Sequence, residues 1–296
     1  MVERSACRLL KLRSVCFIAM PISVRGNETY ILLSGMTLTT PISLGSGIEL
    51  LPAVCKHLNP EDLRGMTKNY FEYAVALLVI PLVRSQFRIT GDSTRQLATK
   101  AWNSQWDCLL LGAMFDLDIL WNLQSDVPAE KISSETELII INWHLSGIVA
   151  RNEHTLTPED SQWLRDNYQS ARVLVKERGF QTAVHALAAF HWHPTPTIRL
   201  ALIWSGIEAL FGVDSEVVFR VSLYTARFLC PGDTSERSKL FATVKRLYKQ
   251  RSAAVHGSKI KGDVSLAVQE PADLLRRLVK RCAEMRALPT VDSLAP

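Results

Sequence analysis

The chain has 296 residues, 47% of them hydrophobic and 21% charged, with a net charge of +5, an ordinary globular composition that excludes a disordered or low-complexity polymer. At this length folding buries about 75% of the surface an unfolded chain exposes, enough for one large or two medium domains without covalent or metal staples. Six cysteines (Cys7, Cys16, Cys55, Cys108, Cys230 and Cys282) include no CxxC pair, so neither a zinc ribbon nor a disulfide framework is indicated, and reduced thiols in a cytoplasmic protein fit best.

The N-terminus has basic residues ahead of an apolar patch, but Arg13 interrupts it and no small-residue cleavage site follows, so secretion is not expected. Short apolar and β-branched runs at Ser14–Ile22, Thr29–Leu38 and Ile48–Val54 read as strands, with turns around Arg25-Gly26-Asn27 and from Pro41 to Gly47. Tyr70–Val83 is ambiguous between a strand and a buried helix, and its apolar part, 74–83, falls short of the ~20 residues that span a bilayer. No membrane partner is therefore expected. Asp92–Met114 begins with a capping cluster and continues as a helix, and Leu138–Trp143 reads as a further strand. Residues 1–150 thus form a mixed α/β domain, with neither a phosphate-binding glycine loop nor a catalytic signature.

From residue 157 the pattern becomes helical, giving an α+β chain whose second part, 157–290, is an all-α bundle. Thr157-Pro158-Glu159-Asp160 combines a capping hydroxyl, a first-turn proline and acids at the positive end of the helix dipole. A helix to about Arg178 follows, then Phe180–His191, Thr197–Phe211 ended by Gly212, Ser215–Leu229 ended by Pro231-Gly232, a fifth helix from Thr234, and a last one over Pro271–Arg286. Charge is uneven. Residues 1–150 carry 13 Lys/Arg against 14 Asp/Glu, residues 151–296 carry 21 against 15, and 237–281 alone has 12 basic residues and three acids. Such a block is either a solvated helix face or an anion site.

The fifth helix carries an anomaly. Its apolar stripe runs Leu240, Val244, Leu247, and the next position of that stripe is Arg251. A guanidinium placed where a core residue belongs needs a counter-charge, a wet cleft or a subunit interface, because burying an unpaired charge costs several kcal/mol, about the worth of one or two core side chains. Five residues on, His256 precedes Gly257, a natural helix stop. A second misplaced charge, Glu208, lies on the stripe Leu200, Trp204, Phe211 and is the obvious counter-ion for Arg251 or acceptor for His256. Elsewhere, His191-Trp192-His193 has i, i+2 spacing unsuited to a metal pair on a helix. The seven tryptophans are scattered as core residues would be, and Cys230 has no base near it in sequence. No metal or cofactor is expected.

The segment Tyr248-Lys249-Gln250-Arg251-Ser252-Ala253-Ala254-Val255-His256-Gly257 resembles the R-x4-6-H signature of HEPN domains, in particular the Apea-like group. The likeness extends to Ile207-Glu208-Ala209-Leu210-Phe211 and to Phe219-Arg220-Val221-Ser222-Leu223-Tyr224-Thr225-Ala226, and covers about 160–286. The resemblance implies a helical bundle that dimerises and, in many members, a metal-independent endoribonuclease of toxin–antitoxin or antiphage systems. Arg251 and His256 match the motif, Ser252 supplies its polar following residue, and Glu208 and Tyr248 take supporting places. Metal-free RNA cleavage needs a base, an acid and positive charge at the phosphate; histidine serves either protonic role and arginine offers a forked donor set. One chain holds one such pair, so a homodimer would supply the second. The basic stretch, with Lys245, Arg246, Lys249, Lys259 and Lys261, would then grip the RNA backbone, and an antitoxin or a phage-derived trigger would control it. The alternative is a non-catalytic dimerisation or binding module with a sensing N-terminal domain.

Overall fold

The computed structural model describes residues 22–143, 154–213, 215–255 and 263–294. At its centre is β1 (Glu28–Ser34), whose side chains alternate between two covered faces: Ile31 and Leu33 enter one apolar cluster, Leu32 another. Around it the sheet takes the order β3-β4-β5-β1-β6-β7, all pairs antiparallel, from β3 (Ile42–Gly45), β4 (Ile48–Pro52), β5 (Val83–Thr90), β6 (Leu120–Ser125) and β7 (Ile139–Ile140). Ile31 sits opposite Phe87 on β5 and Gln124 on β6. Two helices, α1 (Pro60–Met66) and α2 (Tyr70–Val79), cover Leu32, Leu123 and Ile140 with Leu63, Met66, Val75 and Val79. The other face receives α3 (Thr94–Phe115) and helices from the second part of the chain. A parallel two-stranded pair, β2 (Met36–Thr37) with β8 (His154–Thr155), lies beside the main sheet.

Several expected elements differ from those formed. The run Thr29–Leu38 breaks at Gly35 into β1 and β2. The span 41–47 is mostly strand rather than turn, because Gly45, Ser46 and Gly47 all take positive φ and compress the reversal into three residues, leaving Ile42–Gly45 to pair with β4. Tyr70–Val83 is helical up to the start of β5. Val75, Ala76, Val79 and Ile80 are buried against α1 and the sheet while Tyr70, Phe71 and Leu78 stay exposed, a one-sided tertiary burial that the continuous apolar run does not encode. Strands β5 and β6 and helix α1 were not expected; β5 carries Arg84, Gln86 and Arg88 among its apolar residues because Arg88 meets Glu28 and Glu49 on the strands either side, Gln86 bonds Pro52 O and Ala129 N, and Arg84 bonds Pro81 O. The expected strand at 14–22 lies, but for its last residue, outside the described residues.

The second part contains α4 (Pro158–Leu174), α5 (Arg178–Ala189), α6 (Pro196–Phe211), α7 (Val217–Leu229), α8 (Thr234–Val255), α9 (Val264–Met285) and the short α10 (Val291–Leu294). The Thr157 cap forms as the sequence indicates, its hydroxyl accepting from Asp160 N, with Pro158 in the first turn. Helix α9 begins two turns before the expected Pro271, capped by Asp263; Pro271 sits buried inside it. Trp143 and Trp192 are exposed rather than core. No helix among the described residues is long and apolar enough to cross a membrane.

The boundary expected near residue 150 divides sheet from bundle in sequence but not in packing. Ile31, Leu33 and Phe87 of the sheet, Leu111 of α3, Leu164 of α4, Trp204 of α6 and Leu278 of α9 belong to one continuous buried cluster. At Gly206 a Cβ would come within 2.7 Å of Leu275 Cδ2 and 3.0 Å of Ala186 Cβ, so α5, α6 and α9 approach closely only because that position is bare. Polar clamps reinforce the junction. Gln169 of α4 donates to Leu44 O of β3, Arg276 of α9 meets Asp116 at the end of α3 at 2.7 Å, and His191 Nε2 lies 2.6 Å from Asp118 Oδ1 with both side chains buried.

The deepest clamp is Asp107 of α3, fully buried, whose Oδ1 accepts from the Tyr168 hydroxyl and lies 2.9 Å from Arg172 Nε, both on α4. Burial pushes the Asp107 carboxyl up to about 6 although Arg172 and Tyr168 pull it down, so desolvation outweighs the ion pair. A carboxyl raised in the folded state binds protons there more tightly than in the unfolded chain. Its contribution to stability is fully present below the ordinary carboxylate range and lost as pH rises through about 6. Asp107→Asn removes that dependence: the difference in unfolding free energy between wild type and variant, from urea melts, should shift against the wild type by about 3 kcal/mol between pH 3.5 and 7. A flat difference would refute the assignment.

Candidate active site

Helix α8 presents two unlike faces. Val244, Leu247 and Tyr248 turn inward, and the inward stripe ends at Arg251, as its spacing indicates. Across from it on α6, one turn after the buried Trp204, stands Glu208. Tyr248 OH donates to Glu208 Oε1 at 3.0 Å, and Arg251 Nη2 lies 3.7 Å from the same oxygen. The Arg251 guanidinium also sits 5.4 Å from the centre of the Tyr248 ring, which packs edge-on to Trp204 at 4.8 Å. A stack results, running Trp204, Tyr248, Arg251, with Glu208 along its side.

The arginine is only partly satisfied by this stack. Its distance to Glu208 is an ion-pair distance beyond hydrogen-bonding reach, and its buried Nε has no hydrogen-bond partner among the described residues. Arg251 and Glu208 side chains remain 26% and 27% exposed, so the pair is not sealed in the core. Planar donors are held in place and left available at the rim of the bundle, an arrangement suited to an incoming oxyanion. Tyr248 is kept neutral: burial and the Glu208 carboxylate both push its phenol above the ordinary value of 10.

The structure brings together Arg251, Tyr248 and Glu208 and leaves Ser252 half-buried on the next step of α8. His256, Gly257, Lys259 and Lys261 lie outside the described residues. Lys245, Arg246 and Lys249 do not join Arg251. At 100° per residue they sit roughly 120–160° around the helix from it, exposed on the outer face. Trp204 is the site residue that sequence reasoning left among the core; its position one turn before Glu208 on the same stripe was the available signal. Among the described residues no group of three or more His, Cys, Asp or Glu could hold a metal ion.

Compared with known proteins, the chain matches no protein-family model, no curated protein and no solved structure.

Glu208→Gln tests the stack. Without the carboxylate charge Tyr248 should ionise at lower pH than in the wild type, seen in the alkaline absorbance titration against the other five tyrosines. Arg251 loses its counter-charge, and unfolding should cost about 1 kcal/mol less. An unaltered titration would show that the carboxylate does not act on the phenol.

Proposed function

We propose that the protein is a metal-independent endoribonuclease of the HEPN type, a toxin or antiphage effector acting as a homodimer. The observation that carries this reading is Arg251: a guanidinium on the inward stripe of α8, oriented by Tyr248 and Glu208, with donors unused, five residues before His256 in a motif resembling the family's. In this reaction the 2′-hydroxyl attacks the adjacent phosphorus and the 5′-oxygen leaves, giving a 2′,3′-cyclic phosphate. One His256 takes the hydroxyl proton, its counterpart from the second protomer protonates the leaving oxygen, and the arginines hold the charge that develops on the non-bridging oxygens. A two-fold axis brings both pairs to one phosphate, with the two His256 side chains about a nanometre apart or less.

Purified protein should cut single-stranded RNA in EDTA and leave cyclic phosphate ends. Activity lost in chelator and restored by a divalent ion would overturn the mechanism. His256→Ala and Arg251→Ala should each lower turnover at least 100-fold while the far-ultraviolet spectrum stays unchanged, and wild-type turnover in either would overturn the site.

A second reading is favoured by one feature, the balance of Arg251 by Glu208 within a single chain. This is also how an arginine would be held in a non-catalytic dimerisation or binding module. Growth separates the two: overexpressed nuclease arrests cells and its His256→Ala form does not, whereas a binding module gives the same growth in both.

A further inference from the structure

On the outer side of the bundle, Phe219 of α7 and Phe241 of α8 meet edge to face, ring centres 5.9 Å apart at 74°. Neither ring belongs to the buried clusters or packs against them as a partly buried neighbour, and Phe219 is 52% exposed. Phe241 is half-buried, and leaving Phe219 exposed forgoes part of the burial worth about 1.5–3 kcal/mol for a phenylalanine. Their pairing therefore leaves apolar flat surface open to a ligand. One turn along α8, Lys245 Nζ stands 6.0 Å from the centre of the Phe241 ring, and Lys249 follows a further turn on. Phe241, Ala242, Lys245, Arg246 and Lys249, all on α8, line an open cleft of about 500 Å³, and Phe219 stands beside it against Phe241.

No acid lines this cleft. Arg246 is occupied by Glu270 at 2.6 Å, but among the described residues neither Lys245 nor Lys249 has a carboxylate partner. The cleft thus offers the Phe241 ring at one end, flanked by the exposed Phe219, and along its side the ammonium groups of Lys245 and Lys249, neither held by a carboxylate. A ligand that answers both carries flat π-surfaces and regularly spaced negative charge. Single-stranded nucleic acid is such a ligand, since its bases are free to stack on aromatic rings while its phosphates meet lysines. Duplex hides its base faces, and an acidic peptide would engage the lysines and leave the rings unused.

We propose that Phe219, Phe241, Lys245 and Lys249 form a base-stacking platform for single-stranded RNA on the outer face of α8, taking RNA as the polymer from the endoribonuclease reading. The platform lies around the helix from Arg251 and touches no reacting atom. It governs affinity and KM and leaves kcat alone.

The test uses the full chain and two labelled oligomers of roughly 12 units, one of uridine and one abasic with the same ribose-phosphate backbone, followed by fluorescence anisotropy across a salt series. Wild type should bind the uridine strand about tenfold more tightly than the abasic strand. Phe219→Leu and Phe241→Leu should each erase most of that preference and leave abasic binding unchanged. The pair Lys245→Gln with Lys249→Gln should weaken both strands and flatten the salt dependence by about 1.4 in slope, two phosphate contacts' worth. Melting curves confirm that each variant is folded, and the lysine pair, exposed as it is, keeps the test usable if a Phe→Leu form is unstable. Equal binding of the two oligomers by wild type, or unchanged binding by folded Phe→Leu forms, overturns the platform. So does a change in oligomeric state by light scattering in the Phe→Leu forms with no change in RNA binding, which would mark the face as a protein contact. Base-selective binding without cleavage sinks the nuclease and spares the platform; cleavage with unaltered KM in the Phe→Leu forms does the reverse.

Discussion

An antiparallel sheet normally covers one face and shows the other to water, but here both faces are apolar, and the rest of the structure follows from that. Leu32, Leu123 and Ile140 point one way; Ile31, Leu33 and Phe87 point the other. Neither set can be left wet. The first is covered by two short helices from the sheet's own half, α1 and α2, whereas α3 alone cannot cover the second. Helices from the later half must close it, and the cluster that begins at Ile31 runs without a break to Leu278 on α9. The bundle is thereby part of the sheet's cover, and α6 and α8, the helices that carry the candidate site, are positioned by it.

Charges within this shared interior are handled in two ways that differ in magnitude. Asp107 is sealed, and although Tyr168 and Arg172 both contact it, the loss of water dominates its ionisation. Such a clamp fixes α4 against α3 at a cost that varies with pH. Glu208 and Arg251 keep about a quarter of their surface, so the aqueous dielectric screens them and their mutual attraction adds little stability. What the pair contributes is orientation: a carboxylate at ion-pair distance, itself fixed by the Tyr248 hydroxyl, and the Tyr248 ring hold the guanidinium at the bundle's edge.

Helix α8 separates two chemistries by its own thickness. Its inner face carries Val244, Leu247, Tyr248 and Arg251, and its outer face Phe241, Lys245 and Lys249.

Helix caps, stops and stripes are local properties, and the sequence by itself determined them: Thr157 and Asp160 cap α4, Gly212 ends α6, and the stripe Leu240, Val244, Leu247 carries Arg251 to the inward face of α8. The pairing of Glu208 with that arginine was legible too, since each breaks an apolar stripe and opposite charges on facing stripes seek each other. Tertiary structure alone decided what depends on distant partners. The helical state of Tyr70–Val83, the strand at Val83–Thr90 and the depth of α9 before Pro271 arise from burial against other elements, which period and propensity do not contain. The contact of Asp107 with Tyr168 spans 61 residues and leaves no mark in either local pattern. Likewise the basic residues near Arg251 in sequence part from it in space, because 3.6 residues per turn sends positions two, five and six apart to the far side of one helix.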